Sequence, residues 1–538
     1  RDHCVTGVQT CALPILCIHL LNACLVFWII RLLFTTPALK NNNVAIHKSS
    51  IALVGALMFV SHPLATGAVT YIVQRMASMV ATFYFLSIAL YLKGRMEEGK
   101  AKYKYFVGVG LAALCAIHTK ENAYTLPGAI ALLEIYFLSD KSIKINFKDN
   151  RIIGGLLAVI GVVVIVLTTF SFKIFDPLPP SIYNTETITS SNYFFTQLSV
   201  IVKYIQLLIL PINQNFDYDF PISNSLFNSS TLLGGLILIS LLSFGIYLYN
   251  KNRILSFGIL WFFLTLSIES SIIPINDVIF EHRTYLPSFG FVFILSTLIY
   301  TYAWNKNKNL ALALVFLIIG SNTVLAVKRN RVWKDEISLW SDVITKSPNK
   351  ERGYINRGFA YGSLQQWDKA IPDFNKVNEL RPNYHAAAYY NLGIAYWAVG
   401  QRDKSMENYS KAIEVDRKYA DAYYGRGVCY YYLNEVDKAL ADYSKAIELK
   451  PRPELYYNRG MVYANKQMWQ LAINDYSQAI SMTPGNADLY FNRGTAYGSM
   501  NEWEKAAADF SKTLELNPQN KSATSNLEFA KSKLKSGS

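Results

Sequence analysis

Apolar residues run in long, nearly unbroken blocks through the first 328 residues and in short periodic steps through the remainder. A hydrocarbon core of about 30 Å needs about 20 apolar residues of helix. Runs of that kind recur near 16–34, 50–62, 76–93, 105–118, 122–138, 152–172, 231–250, 254–272, 287–303 and 310–327, and they predict a polytopic membrane domain over 16–328 with about ten spans. One further apolar stretch, 194–211, carries Lys203 and ends at Pro211, which predicts a re-entrant or interfacial helix instead. Residues 1–15, RDHCVTGVQTCALPI, show neither helical nor strand periodicity and lack the layout of a signal peptide. They are read as a non-native leader on a chain that starts at Arg1, and thus as the edge of a fragment.

The second half changes period. Glycine returns at Gly358, Gly393, Gly427, Gly460 and Gly494, with Tyr354, Tyr389, Tyr423, Tyr456 and Tyr490 four places before and Tyr361, Tyr396, Tyr430, Tyr463 and Tyr497 three places after. Small residues follow at Ala370, Ser405, Ala439, Ala472 and Ala506, then aromatics at Phe374, Tyr409, Tyr443, Tyr476 and Phe510. Proline closes four of the five units. A helix–turn–helix unit of about 34 residues with this pattern is a tetratricopeptide repeat. The expected fold class is therefore all-α, a membrane helix domain followed by a repeat superhelix. Residues 329–350 read as a connecting half repeat, 351–518 as five repeats, and 519–538 as a capping helix and tail. Asn356, Asn391, Asn458 and Asn492 stand two places before the repeat glycine, a series broken at Gly425. An asparagine amide matches a peptide unit donor for acceptor, so this ladder is a candidate peptide-binding face. Asparagine common to such repeats for packing reasons alone is the other reading.

Charge separates the halves further. Only 17% of residues are charged and the net charge is +14, but 1–328 holds 23 Lys/Arg against 14 Asp/Glu while 329–538 holds 29 against 24. The basic excess of the first half lies in short loops between apolar runs rather than on one patch, which excludes a nucleic-acid partner. The loops 35–48, 93–105, 139–151, 250–253 and 304–309 carry 15 Lys/Arg, against five in the alternate set: Arg75, Lys120, Lys173, Lys203 and Arg283. Basic loops face the cytoplasm, so the repeats are expected on the periplasmic or lumenal side. Lys328, Arg329 and Arg331, just past the last span, oppose that orientation. The six cysteines are scattered without a CxxC pair, which gives neither a metal site nor a disulfide framework.

The loops of the sparsely basic set read HPLATGAVTYIVQR (62–75), HTKEN (118–122), a long segment 172–230 with FDPLPPS and NQNFDYDFP, and IPINDVIFEHRTYLPS (273–288). Ionisable groups held close to a bilayer are costly and commonly functional; snorkelling side chains at helix ends are the alternative. The blocks HLLNACLVF (19–27), SHPLATGAVTYIVQRMASM (61–79), TKENAYTLP (119–127) and EHRTYLPSFGF (281–291) resemble those of membrane glycosyltransferases with the C-type fold. In particular they resemble transmembrane and tetratricopeptide repeat-containing proteins, whose animal members are lumenal protein O-mannosyltransferases.

That resemblance implies a sugar carried on a polyprenyl or dolichyl phosphate and transferred on the non-cytoplasmic face. Arg75, Lys120 and Arg283, with Tyr285 in the same block, are then the candidates for the lipid phosphate, since fixed cations suit phosphate oxygens. A carboxylate must deprotonate the acceptor hydroxyl or hold a divalent metal. In such proteins it lies in the first external loop, which would fall upstream of this chain. Glu121 and Glu281 are the only carboxylates of the resembling blocks on that side, and each stands near a basic residue. Pairing with a cation would depress the carboxylate pKa and weaken it as a base. The chain is thus expected to bind donor lipid or peptide without turnover. Gly67 departs from relatives, which often carry Glu there. The competing reading is a membrane-anchored adaptor whose repeats recruit proteins, although a bare anchor needs one span rather than about ten.

Overall fold

The computed structural model describes residues 8–70, 75–139, 188–271, 273–275, 277–383 and 385–536. The protein is all-α, with no strand among the described residues, and divides into two compact units, Arg1–Pro348 and Asn349–Ser538.

The first unit begins with α1 (Val8–Leu33), α2 (Lys48–Ser61), α3 (Ala65–Thr70), α4 (Arg75–Arg95), α5 (Lys102–Thr119) and α6 (Leu126–Leu133). It continues with α7 (Ser190–Ile209), α8 (Ser229–Tyr247), α9 (Arg253–Leu266), α10 (Ser288–Leu298), α11 (Lys308–Val332) and α12 (Glu336–Lys346). Four helical stretches among the described residues are long and apolar enough to cross a membrane: Leu13–Leu33, Arg75–Arg95, Ser229–Asn250 and Lys308–Val332. The apolar helices Ala45–Ser61, Arg253–Leu266 and Ser288–Trp304 are shorter. The predicted span 152–172, Lys173 and the FDPLPPS segment lie outside the described residues.

One core joins α1, α2, α4, α6, α9 and α10 through Ile29, Phe34, Phe59, Tyr84, Phe85, Trp261, Phe289 and Phe293. Two glycines let α9 and α10 touch: a Cβ on Gly290 would lie 2.6 Å from the Gly258 carbonyl oxygen. Outward faces of α5, α8 and α11 keep large apolar residues exposed, among them Leu111, Leu236 and Phe316. A polar solvent would penalise such surfaces and a lipid tail would not.

Loops of the first unit meet at two ends. At one, the Ala38 amide donates to the Phe137 carbonyl (3.3 Å), Arg95 pairs with Glu134 (2.7 Å), and Arg253 donates to the Tyr136 carbonyl (3.0 Å). At the other, His62 reaches the Leu208 carbonyl (3.0 Å), Lys120 pairs with Glu269, and Gln197 donates to the Val278 carbonyl (2.8 Å). These are the two loop sets that charge distinguishes in the sequence.

The second unit is ten helices in five antiparallel pairs plus α23 (Lys521–Ser536). The pairs are α13 (Glu351–Ser363) with α14 (Trp367–Leu380), α15 (Ala386–Ala398) with α16 (Arg402–Val415), and α17 (Ala420–Tyr432) with α18 (Val436–Leu449). Then come α19 (Pro453–Asn465) with α20 (Trp469–Met482) and α21 (Ala487–Ser499) with α22 (Trp503–Leu516). Each repeat glycine lies under the aromatic ring of its partner helix. A Cβ at Gly358, Gly427, Gly460 or Gly494 would lie 2.8, 2.9, 2.8 or 3.0 Å from that ring. The tight turns inside the pairs use left-handed residues, Gln365, Gly400, Asn434, Gln467 and Asn501, of which only glycine takes that conformation without cost.

Candidate functional site

Three loops of the first unit converge: 119–125 after α5, 267–285 between α9 and α10, and 210–222 after α7. Lys120 Nζ pairs with Glu269 Oε1, although the two residues are 149 apart in sequence, and Glu269 is 3% exposed. The other oxygen, Glu269 Oε2, is buried without a hydrogen-bond partner, as is Asn122 Oδ1 two residues from Lys120. Buried acceptors left unsatisfied cost free energy, and an ordered water, an ion or a ligand group is what satisfies them. Tyr193 donates its hydroxyl to the Glu269 carbonyl (2.7 Å) and in turn accepts from Arg283 Nη1 (3.2 Å). Arg283, 3% exposed, also donates to the carbonyls of Val278 (3.1 Å) and Asp277 (2.8 Å). Burial pulls the Arg283 guanidinium down, but Tyr204, Tyr193 and Glu269 more than offset this and leave its pKa raised. Burial, with Lys120 and Arg283 close by, holds His282 well below the usual imidazole range and keeps it neutral.

Glu281 corrects one expectation. It pairs with neither sequence neighbour. Its Oε1 accepts from the Tyr218 hydroxyl (2.7 Å) and the Asn215 amide (2.7 Å), and Oε2 accepts from Gln214 (3.2 Å). Burial pushes its pKa above the ordinary carboxylate value, against the opposing pull of Arg329, Tyr218, the Asn215 amide and Lys346. The carboxyl is thus a stronger base than a surface-paired one, although a cavity of about 20 Å³ beside Gly67, Glu281, His282 and Arg329 holds no more than a water molecule. A Cβ on Gly67 would meet nothing within 4 Å.

The remaining candidates are placed differently. Arg75 is exposed at the start of α4, and Glu121 is exposed beside Lys120. Tyr285 is buried, its hydroxyl 2.6 Å from His19 Nδ1 and accepting from Asn22 Nδ2 (3.1 Å), which also donates to the Ser78 carbonyl (2.9 Å). It therefore ties α1 to the EHRTY loop. Arg329, whose charge opposes the loop-charge orientation, is buried and paired to Asp342 (2.9 Å), so it is not a free basic loop residue. Glu269 escaped sequence reasoning because it closes an apolar run, and a lone carboxylate at the end of such a run was its only signal. Among the described residues no three His, Cys, Asp or Glu side chains gather as a metal site would require.

In the second unit the ladder amides are half-buried and occupied on the donor side. Asn356 and Asn391 donate to the Arg352 and Ala387 carbonyls of their own helices (2.9 and 2.6 Å). Asn458 donates to the Tyr424 hydroxyl (3.0 Å), and Asn492 to the Asp488 carbonyl (2.8 Å) and the Tyr457 hydroxyl (3.4 Å). The break at Gly425 has a steric cause, since a Cβ there would lie 2.7 Å from the Tyr409 ring.

A second periodic feature went unread in the sequence. Arg357, Arg426, Arg459 and Arg493, each preceding a repeat glycine, clamp Asp373, Asp442, Asp475 and Asp509, each 16 residues on, through two nitrogens at 2.6–2.9 Å. The tyrosines flanking the glycines cover Arg426, Arg459 and Arg493 on both sides at 5.7–5.9 Å. The second repeat alone replaces the pair, with Leu392 and Asn408.

The fold defines a class: apolar membrane-type helices carrying buried ionic loops, followed by a tetratricopeptide array. Tetratricopeptide repeat family models match residues 351–384, 420–453 and 487–520, and a related TPR repeat model matches 398–433 and 462–501. The chain is homologous to protein O-mannosyl-transferases. It is 25% identical over 341 residues to Protein O-mannosyl-transferase F38B6.6 of Caenorhabditis elegans, a match covering 62% of this chain and 46% of that protein. To TMTC3 of Mus musculus it is 22% identical over 375 residues (62% and 39%), and to TMTC2 of Homo sapiens 33% over 90 residues (16% and 11%). The chain thus spans about half the length, or less, of the curated relatives it matches. Among solved structures, the TPR protein YrrB, described as having an unusual peptide-binding site, aligns at 25% identity and a TM-score of 0.31, covering 34% of this chain and 95% of YrrB. MamA aligns at 28% and 0.29, covering 31% and 92%.

Proposed function

We propose that the first unit is a glycosyltransferase-type membrane domain that takes a sugar, mannose by analogy with the relatives, from a polyprenyl or dolichyl phosphate and passes it to protein on the non-cytoplasmic side. The repeats hold the acceptor polypeptide, with Asn356, Asn391, Asn458 and Asn492 offering their amide oxygens to its backbone. The observation that carries this reading is the Lys120–Glu269 pair with its unsatisfied neighbours, set beside the buried Arg283. The pair holds a cation that a phosphate can compete for, with Glu269 Oε2 and Asn122 Oδ1 open as acceptors beside it. The donor phosphate takes Lys120 from Glu269, with Arg283 deeper in the same loops, Arg75 at the surface and Tyr285 fixing the loop. Glu281 and Glu121 remain the candidate bases within this chain.

The test is donor binding. Detergent-purified chain should retain radiolabelled dolichyl-phosphate mannose or undecaprenyl-phosphate mannose, and Lys120→Gln should weaken it about tenfold, the loss of roughly one charge-assisted contact. Equal retention by wild type and variant would remove the phosphate site. Sugar release onto an acceptor peptide, assayed in the same preparation, would place the base inside this sequence.

A further inference from the structure

At the opposite end of the first unit from Lys120 lies an open bowl of about 590 Å³ between the end of α1 and the start of α2. Its lining includes Phe34, Lys40, Asn41, Asn42, Asn43 and Lys48, and no carboxylate. Among the described residues neither lysine has an acidic partner. Asn42 shapes the rim by accepting from the Val44 amide (3.1 Å). We propose that this bowl binds the phosphate head of an anionic membrane lipid.

The surroundings favour a lipid over a soluble phosphate. Ile46, on the same rim, is 84% exposed, an apolar side chain standing free beside two cations. His47 packs on Tyr300 (5.6 Å) and Trp304 (5.8 Å), which stack on each other at 5.1 Å, and Lys308 Nζ lies 5.8 Å from the Trp304 ring. Tyrosine and tryptophan beside lysines at the ends of apolar helices are the composition of the headgroup layer. Tyr300 and Trp304 belong to a π-helical turn, Ile299–Trp304, just before the helix start at Lys308. Two lysines and three amides give a phosphate charge and hydrogen-bond donors, while the exposed Ile46 and the half-buried Trp304 ring offer apolar surface to the first part of the acyl chains. The site shares no residue with the donor loops and stands or falls independently of them.

The experiment titrates phosphatidylglycerol into the full chain in neutral detergent and counts retained lipid by native mass spectrometry. Phosphatidylcholine and inorganic phosphate serve as the other ligands. Each lysine near an anionic headgroup contributes about fivefold, so Lys40→Gln with Lys48→Gln should weaken phosphatidylglycerol retention roughly twentyfold or more. Lys102→Gln with Lys104→Gln, on the same end but outside the bowl, should leave it unchanged. In the wild-type chain, raising salt from low to about 0.5 M should weaken retention through screening alone, a result that needs no variant to fold. Equal losses in both double variants would mean diffuse surface charge, and unchanged retention in the bowl variant or at high salt would remove the site. Displacement of the lipid by inorganic phosphate at comparable concentration would make the bowl a site for free phosphate and overturn the lipid assignment.

Discussion

Both units bury ion pairs, and they bury them in opposite ways. In the repeats, four Arg–Asp clamps recur at fixed spacing, and three of the arginines also donate to a serine of the preceding repeat, Ser410, Ser444 and Ser477. In the membrane unit, Lys120–Glu269 occurs once and leaves Glu269 Oε2 and Asn122 Oδ1 unsatisfied. The repeated, satisfied pairs are architecture, whereas the single pair keeps an open acceptor beside its cation, which is the feature the proposed donor site rests on. Neither conclusion follows from burial, which is similar for both carboxylates: Glu269 is 3% exposed and Asp475 4%.

The most damaging way to probe that contrast is to break a clamp. Asp475→Ala strands the Arg459 guanidinium and should cost about 3 kcal/mol, read by denaturant unfolding and by hydrogen exchange across 453–482. Next in size, Gly425→Asn restores the ladder on paper but drives a side chain into the Tyr409 ring. It should cost about 2 kcal/mol by overpacking and weaken any peptide binding, measured by thermal unfolding and peptide titration. Replacing the lone pair as a unit, Lys120→Met with Glu269→Leu, should leave stability within about 1 kcal/mol of wild type, because apolar substitutes of similar volume commonly match a buried pair. The same double variant should lose donor binding, whereas an architectural pair would show neither loss nor gain there.

Glu281 supplies a slope instead of a step. Its folded pKa lies above the ordinary value of 4.5, so the folded state holds the extra proton. Its stabilising contribution is complete below pH 4.5 and is lost as pH rises through the raised value. Thermal unfolding across that range should show this fall, and Glu281→Gln should flatten it. The smallest effect is expected at Gly67. Gly67→Ala enters open space and should change stability by less than about 0.5 kcal/mol.

Periodicity made the repeats legible almost residue by residue, because each unit solves the same packing problem and the solution recurs in sequence. Glycines under rings, small residues and closing prolines all follow from that. The Arg–Asp clamp was equally periodic but was hidden by pairing residues on different helices. In the membrane unit the apolar runs marked helices, while the partners of the loop charges stayed unreadable. Lys120 meets Glu269 across 149 residues, and Glu281 meets the 214–218 loop rather than Arg283. Sequence proximity suggested that Glu281 would have a depressed pKa; burial reversed the sign. The Gly425 break in the ladder likewise needed the position of Tyr409, a ring from the preceding repeat.

The second repeat, with Leu392 and Asn408 in place of the clamp, has a consequence for how the array comes apart. Stacked repeats behave as a row of units, each held by its own stability and its couplings to nearest neighbours. One unit without an ionic cross-link lowers the cooperativity of the row at that position. Under load or mild denaturant, opening should nucleate near residues 386–415 and spread toward the first repeat, while the three clamped repeats behind it stay folded as a block.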